Sequence, residues 1–389
     1  MVSTPHRPTL RRAAAVYFTF AHATLALAGA VMLLQPHSFV GFYYHAKMLT
    51  VVHLVALGWI GASILGAVHV ALAQSPHRPA GSHRFASAVA WVYTVVALGI
   101  PAHFWIEELS GVGWSGSILL LIFGRAAWLG SGLVRAGEWP RPMHACLALG
   151  SLNLLGAVSV GILLAVNKII PFVPGRHLDN VHAHLHLAAV GGLTMLGLGM
   201  AYRSLPNPPG TPIDRHAPTL TAGLLQAGVL GLAIAFHFGG RGLVPAAALV
   251  ALAVCIGMGH VHRAVLRRAD PLTTLALVYL ALAAALGVAL AALPTSLLSL
   301  RLASAYGVCG LLGFLGQLVA GAGLDAMPRS VVRWSVRASW IVAVPALALG
   351  FHLENPWGVR VGGLSLCLAA LLGTLGHAPA LRRFWREHP

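Results

Sequence analysis

The sequence predicts an all-α, polytopic membrane protein of twelve helices, and three observations predict it. Hydrophobic residues make up 58% of the 389 and charged residues 9%, at a mean hydropathy of +0.80. That composition excludes a disordered chain and does not suit an ordinary soluble domain. The apolar residues fall in long runs, many near 20 residues and almost free of acid or base. Each such run can cross about 30 Å of hydrocarbon at about 1.5 Å per residue. The third observation is the placement of the bases, given below.

Breaks at Pro, Gly and Arg clusters give twelve spans. They are roughly 13–34, 46–73, 84–105, 114–135, 143–165, 180–203, 217–238, 243–263, 271–293, 298–322, 332–352 and 357–378. The first follows Arg7, Arg11 and Arg12. It is too long for a signal peptide and ends without a small-residue cleavage site, so it reads as a membrane helix. The N-terminus, the even-numbered loops and the C-terminus hold 18 bases, whereas the odd loops hold 6. That asymmetry predicts both termini in the cytoplasm, in a bacterial inner membrane. Trp105, Trp114, Trp334 and Trp357 fall near span ends, as an interfacial belt requires. The net charge of +16 follows from this topology. No basic stripe interleaved with stacking aromatics is present, which excludes nucleic acid as a partner. All nine acids lie in loops or at span ends, which counts against a proton pump or coupled transporter. Arg125 is the lone base within a span, near mid-membrane; it reads as snorkelling or pairing with backbone carbonyls, with an acidic cofactor group as the alternative partner.

The chain repeats internally. The second span reads HLVALGWIGASILGAVH from His53, and the sixth reads HLAAVGGLTMLGLGMAY from His186. At an offset of 133, His53 aligns with His186, Gly58 with Gly191 and Gly66 with Gly199. A fainter copy at a further offset of 122 aligns Gly191 with Gly313 and Gly199 with Gly321 in the tenth span. In that copy Tyr306 stands at the place of His184 and Val308 at the place of His186. A recurrence every four spans predicts three pseudo-symmetric four-helix units, approximately 13–135, 143–263 and 271–378, in one membrane domain. This differs from a six-plus-six transporter plan.

Histidines are numerous, 21 against nine acids. His53, His182, His184, His186 and His237 belong to the outer ends of helices. In HAHLH (182–186), His182 and His186 share a helix face, and His184 lies about 200° away from either. His53 and His186 sit at equal depth, about 10 Å below the outer surface. Two imidazoles so placed suit bis-His haem ligation, with Gly58, Gly191 and Gly192 making room for the ring. The alternative is that these side chains bond carbonyls, line a polar cavity or sit exposed at the interface. His69, His77 and His377 read as interfacial on the inner side.

The three four-helix arcs, HLxxLG at His53 and HxHLHLxxxG at 182–191 resemble subunit I of the haem-copper oxidase superfamily. The closer likeness is to short subunit I-like proteins related to the C-type oxidases and nitric oxide reductases. The likeness spans nearly the whole chain, with its specificity in the second and sixth helices. It implies haem b, with His53 at the position of the family's helix-2 low-spin ligand. The family's remaining haem ligands stand in helix 10, where this chain has Tyr306 and Val308. Its copper site needs an adjacent histidine pair after helix 7, where this chain has His237 alone. The resemblance therefore implies the fold and haem more than oxygen or nitric oxide reduction. The expected function is electron transfer within a respiratory complex, as an oxidoreductase subunit alongside other membrane or periplasmic electron-transfer subunits. His53 and His186, or else His184, would hold the haem. The alternatives are a copper-binding or transport protein using His182 and His237, and a haem-free accessory subunit.

Overall fold

A computed structural model describes residues 7–75, 81, 83–135, 141–203, 216–238, 240–265, 270–325, 327 and 330–386. His77 lies outside them. Among the described residues there is no strand, and twelve long helices follow in order. They are α1 (Arg7–Leu34), α2 (Ala46–Gln74), α3 (Ala86–Trp105), α4 (Leu109–Arg135), α5 (Arg141–Ile169) and α6 (177–203). Then come α7 (His216–His237), α8 (Leu243–Val265), α9 (Pro271–Ala292), α10 (Leu297–Asp325), α11 (Val331–His352) and α12 (Pro356–Arg386). Eleven are long and apolar enough to cross a membrane; in α8 the described apolar stretch, Leu243–Gly259, is shorter. Trp114, Trp334 and Trp357 are exposed near helix ends.

Helix α4 starts five residues before the expected position. The Glu108 carboxylate accepts the Ser110 and Gly111 N–H groups at 3.1 and 2.8 Å, a capping contact that hydropathy does not register. The ends of α3 and α11 close alike. Glu107 and Glu354 take positive φ, and the next N–H reaches back to the carbonyl of His103 or Gly350. That is the Schellman closure, and α7 ends with the equivalent bond from Gly240 N to Ala235 O.

The packing order recurs every four helices. The contacts α1·α2, α1·α3, α2·α3, α3·α4 and α4·α5 have counterparts in α5·α6, α5·α7, α6·α7, α7·α8 and α8·α9. They recur again in α9·α10, α9·α11, α10·α11, α11·α12 and α12·α1. Nine helices thus close into a ring, and α2, α6 and α10 stand inside it. This explains why those three carry the sequence repeat.

Each inner helix widens to π-helical turns at the same place. The segments are Leu54–Gly61, Leu187–Thr194 and Cys309–Gly316, so their starts differ by the 133 and 122 residues of the repeat. A π turn misaligns backbone groups, and each segment has a carbonyl bonded by a side chain. Tyr93 Oη donates to Leu57 O at 2.7 Å, Asn153 Nδ2 to Gly191 O at 3.1 Å and Trp59 Nε1 to Gly316 O at 3.4 Å.

The repeated glycines do not make room for a ring, as the sequence suggested. They admit the preceding helix. A Cβ on Gly58 would lie 2.5 Å from Thr24 Cβ of α1, on Gly191 2.9 Å from Asn153 Cγ of α5, and on Gly313 2.6 Å from Tyr279 Cγ of α9. Gly192 likewise faces Leu154 of α5, 3.3 Å away. Replacing Gly58 or Gly313 by Val should cost about 1–3 kcal/mol by overpacking. Thermal unfolding in detergent checks this, and an unchanged midpoint would contradict it.

Candidate functional site

The bundle is closed at its middle and part-open above. Residues 191–199 of α6 are all buried, whereas residues 181–190 are part-exposed save His186. In α10, residues 312–317 are buried and 300–307 part-exposed. The part-exposed stretches of α6 and α10 lie on the N-terminal side of their π segments, and His182, His184 and Tyr306 belong to them.

His53 is half-buried on α2 beside Phe104 of α3, with ring centroids 4.9 Å apart. Its Nδ1 donates to Leu49 O at 2.7 Å. That bond fixes the tautomer and leaves the Nε2 lone pair without a partner among the described residues. His184 has the same arrangement by another route. Its Nδ1 donates across to Ala157 O of α5 at 2.8 Å, and Gly161 beside it leaves room for the ring. Its Nε2 also has no partner among the described residues.

His182 and His186 share a face, as the helical spacing predicts, and both pack on Phe236 of α7 with ring centroids 5.2 Å away. Both nitrogens of His186 are committed: Nδ1 donates to His182 O at 2.7 Å, and Nε2 accepts from Tyr306 Oη at 3.2 Å. His182 Nε2 is hydrogen-bonded with Tyr43 Oη at 2.7 Å. His177, at the head of α6, is hydrogen-bonded with Tyr44 Oη at 2.7 Å. Sequence reading missed these tyrosine partners. Tyr43 and Tyr44 come from the connection between α1 and α2, and Tyr306 comes from α10. His237 is exposed at the end of α7, with Nδ1 3.4 Å from Asn180 Oδ1. It flanks an apolar cavity of about 340 Å³ between α5, α6 and α7. Among the described residues, no three His, Cys, Asp or Glu side chains gather as a metal group.

Arg125 pairs with a carbonyl, as expected: its Nη2 donates to Arg84 O at 3.0 Å, just before α3. One expectation needs correction. His69 is not interfacial but 3% exposed, with Nδ1 on Leu65 O at 2.8 Å and its ring against Tyr17. His22, which no motif marks, is buried on α1 against Trp59 and His377.

Comparison of the chain with protein-family models and with curated proteins gives no match.

Proposed function

We propose that this chain is an integral membrane haem protein that carries electrons within a respiratory complex. All twelve helices span the bilayer in three pseudo-equivalent units about a threefold axis, with both termini on the cytoplasmic side of a bacterial inner membrane. A b-type haem would be held by His53 of α2 and His184 of α6. One observation carries this reading: both imidazoles have Nδ1 anchored on a backbone carbonyl and Nε2 unpartnered. Anchoring the far nitrogen is how proteins orient a histidine ligand. His186 is the less suitable second ligand, because Tyr306 Oη already occupies its Nε2.

Bound haem supplies one-electron redox chemistry. The chain's own residues do the rest. Leu49 O and Ala157 O hold the two rings in place, and Phe104 shields His53. Val308 is buried and apolar, and Tyr306 is engaged with His186, so α10 contributes no ligand. Electrons enter and leave through other membrane or periplasmic subunits. With both imidazoles engaged in holding the haem, the isolated chain should show negligible oxygen or nitric oxide turnover. Robust turnover in a preparation free of other oxidases would contradict that. Extraction of the purified chain tests the whole reading: it should yield haem b in stoichiometric amount, and a haem-free chain would end it.

A further inference from the structure

A second pair of rings lies in the other half of the bundle, away from the outer histidines. His22 on α1 is 7% exposed, and its Nδ1 donates to Phe18 O at 2.8 Å. His377 on α12 stands beside it, with ring centroids 5.4 Å apart at 65°. Trp59 of α2 meets His22 edge-on at 5.3 Å. His377 Nδ1 is 2.9 Å from Gly373 O, one turn earlier in α12, and its Nε2 is 3.1 Å from Gly323 O of α10. The two rings pack closely against glycines. A Cβ on Gly373 would lie 3.1 Å from His22 Nε2, and one on Gly323 3.4 Å from His377 Cε1.

Both nitrogens of His377 therefore face carbonyl oxygens, which only accept. A neutral imidazole has a single N–H, so one of the two contacts would set lone pair against lone pair. The ring with an N–H at each nitrogen satisfies both. The neighbours allow it. His22 faces it from α1. From α10 the Gly323 carbonyl points at it, and Asp325, two residues on, is bonded to Arg333 of α11 at 3.1 Å. From α11, Val332 packs nearby at Gly376. His22 is the complementary partner: its Nδ1–H is used and its Nε2 lone pair has no partner among the described residues.

We propose that His377 is a proton-binding site, its ring protonated at both nitrogens and closed by the carbonyls of α10 and α12. The site stands apart from the haem reading and does not depend on it.

The test is nitrogen NMR of the ¹⁵N-histidine-labelled full chain in lipid nanodiscs at neutral pH. The signals that vanish in His377→Gln should be those of a ring protonated at both nitrogens. Those that vanish in His22→Gln should come from a neutral ring protonated at Nδ1. A neutral ring at position 377 would overturn the proposal. If His377→Gln does not assemble, thermal unfolding of the wild type and His377→Phe at about pH 6 and about pH 9 decides. A bound proton stabilises the fold and is lost as pH rises, so the gap in melting temperature between the two chains should shrink toward high pH. An equal gap at both pH values would overturn it.

Discussion

His53→Ala and His184→Ala should each abolish the low-spin haem spectrum, leaving either a high-spin species or no haem. His237→Ala should leave it unchanged. The effect is large because an axial ligand has no substitute nearby: His186 and His182 are already hydrogen-bonded with Tyr306 and Tyr43. His186→Ala separates the two possible ligand sets. With His184 as ligand, this variant should keep a six-coordinate spectrum. Loss of that spectrum in His186→Ala, together with its retention in His184→Ala, would transfer the role to His186. Absorption spectra of the oxidised and reduced variants provide the measurement.

Asp270→Ala should destabilise the fold by about 3–5 kcal/mol, the usual result of leaving buried charge without its partner. Asp270 precedes α9, and its side chain is fully buried. It accepts the Leu272 N–H at 3.0 Å, Arg333 Nη2 at 3.0 Å and Arg337 Nε at 3.0 Å, with Arg337 Nη2 also bonded. Burial pushes this carboxyl upward. The Arg337 hydrogen bonds, the Leu272 N–H and the Arg333 bond outweigh burial and hold it below the ordinary carboxylate range. A depressed carboxyl stabilises the fold fully above its unfolded value. That contribution is lost as pH falls through the folded value. The difference in melting temperature between wild type and Asp270→Ala should therefore be largest near neutral pH and shrink in acid. A difference that grows in acid would contradict this account.

The helices were legible because each apolar run is bounded by Pro, Gly or Arg. The inner trio was legible because Gly58, Gly191 and Gly313 recur at the offsets of the repeat. What those glycines do was not legible. The space that composition suggested for a cofactor is filled by Thr24, Asn153 and Tyr279, which belong to helices whose positions only the packing decides. The π segments were hidden for the same reason, since the width of a turn depends on which side chains arrive to bond its carbonyls. At the site, the i, i+4 relation of His182 and His186 was written in the spacing. The partners that separate His184 from His186 were not: Ala157 O is 27 residues away and Tyr306 is 120. His22 was invisible because a lone histidine in an apolar run has no pattern, and its neighbour His377 lies on the last helix.

Near-infrared magnetic circular dichroism of the oxidised, purified full chain reads the axial ligands of ferric haem directly. The account predicts the charge-transfer band of a six-coordinate low-spin haem with two imidazole ligands, lost in His53→Ala. A high-spin haem in the wild type, a low-spin band that survives in His53→Ala, or no haem at all would contradict it.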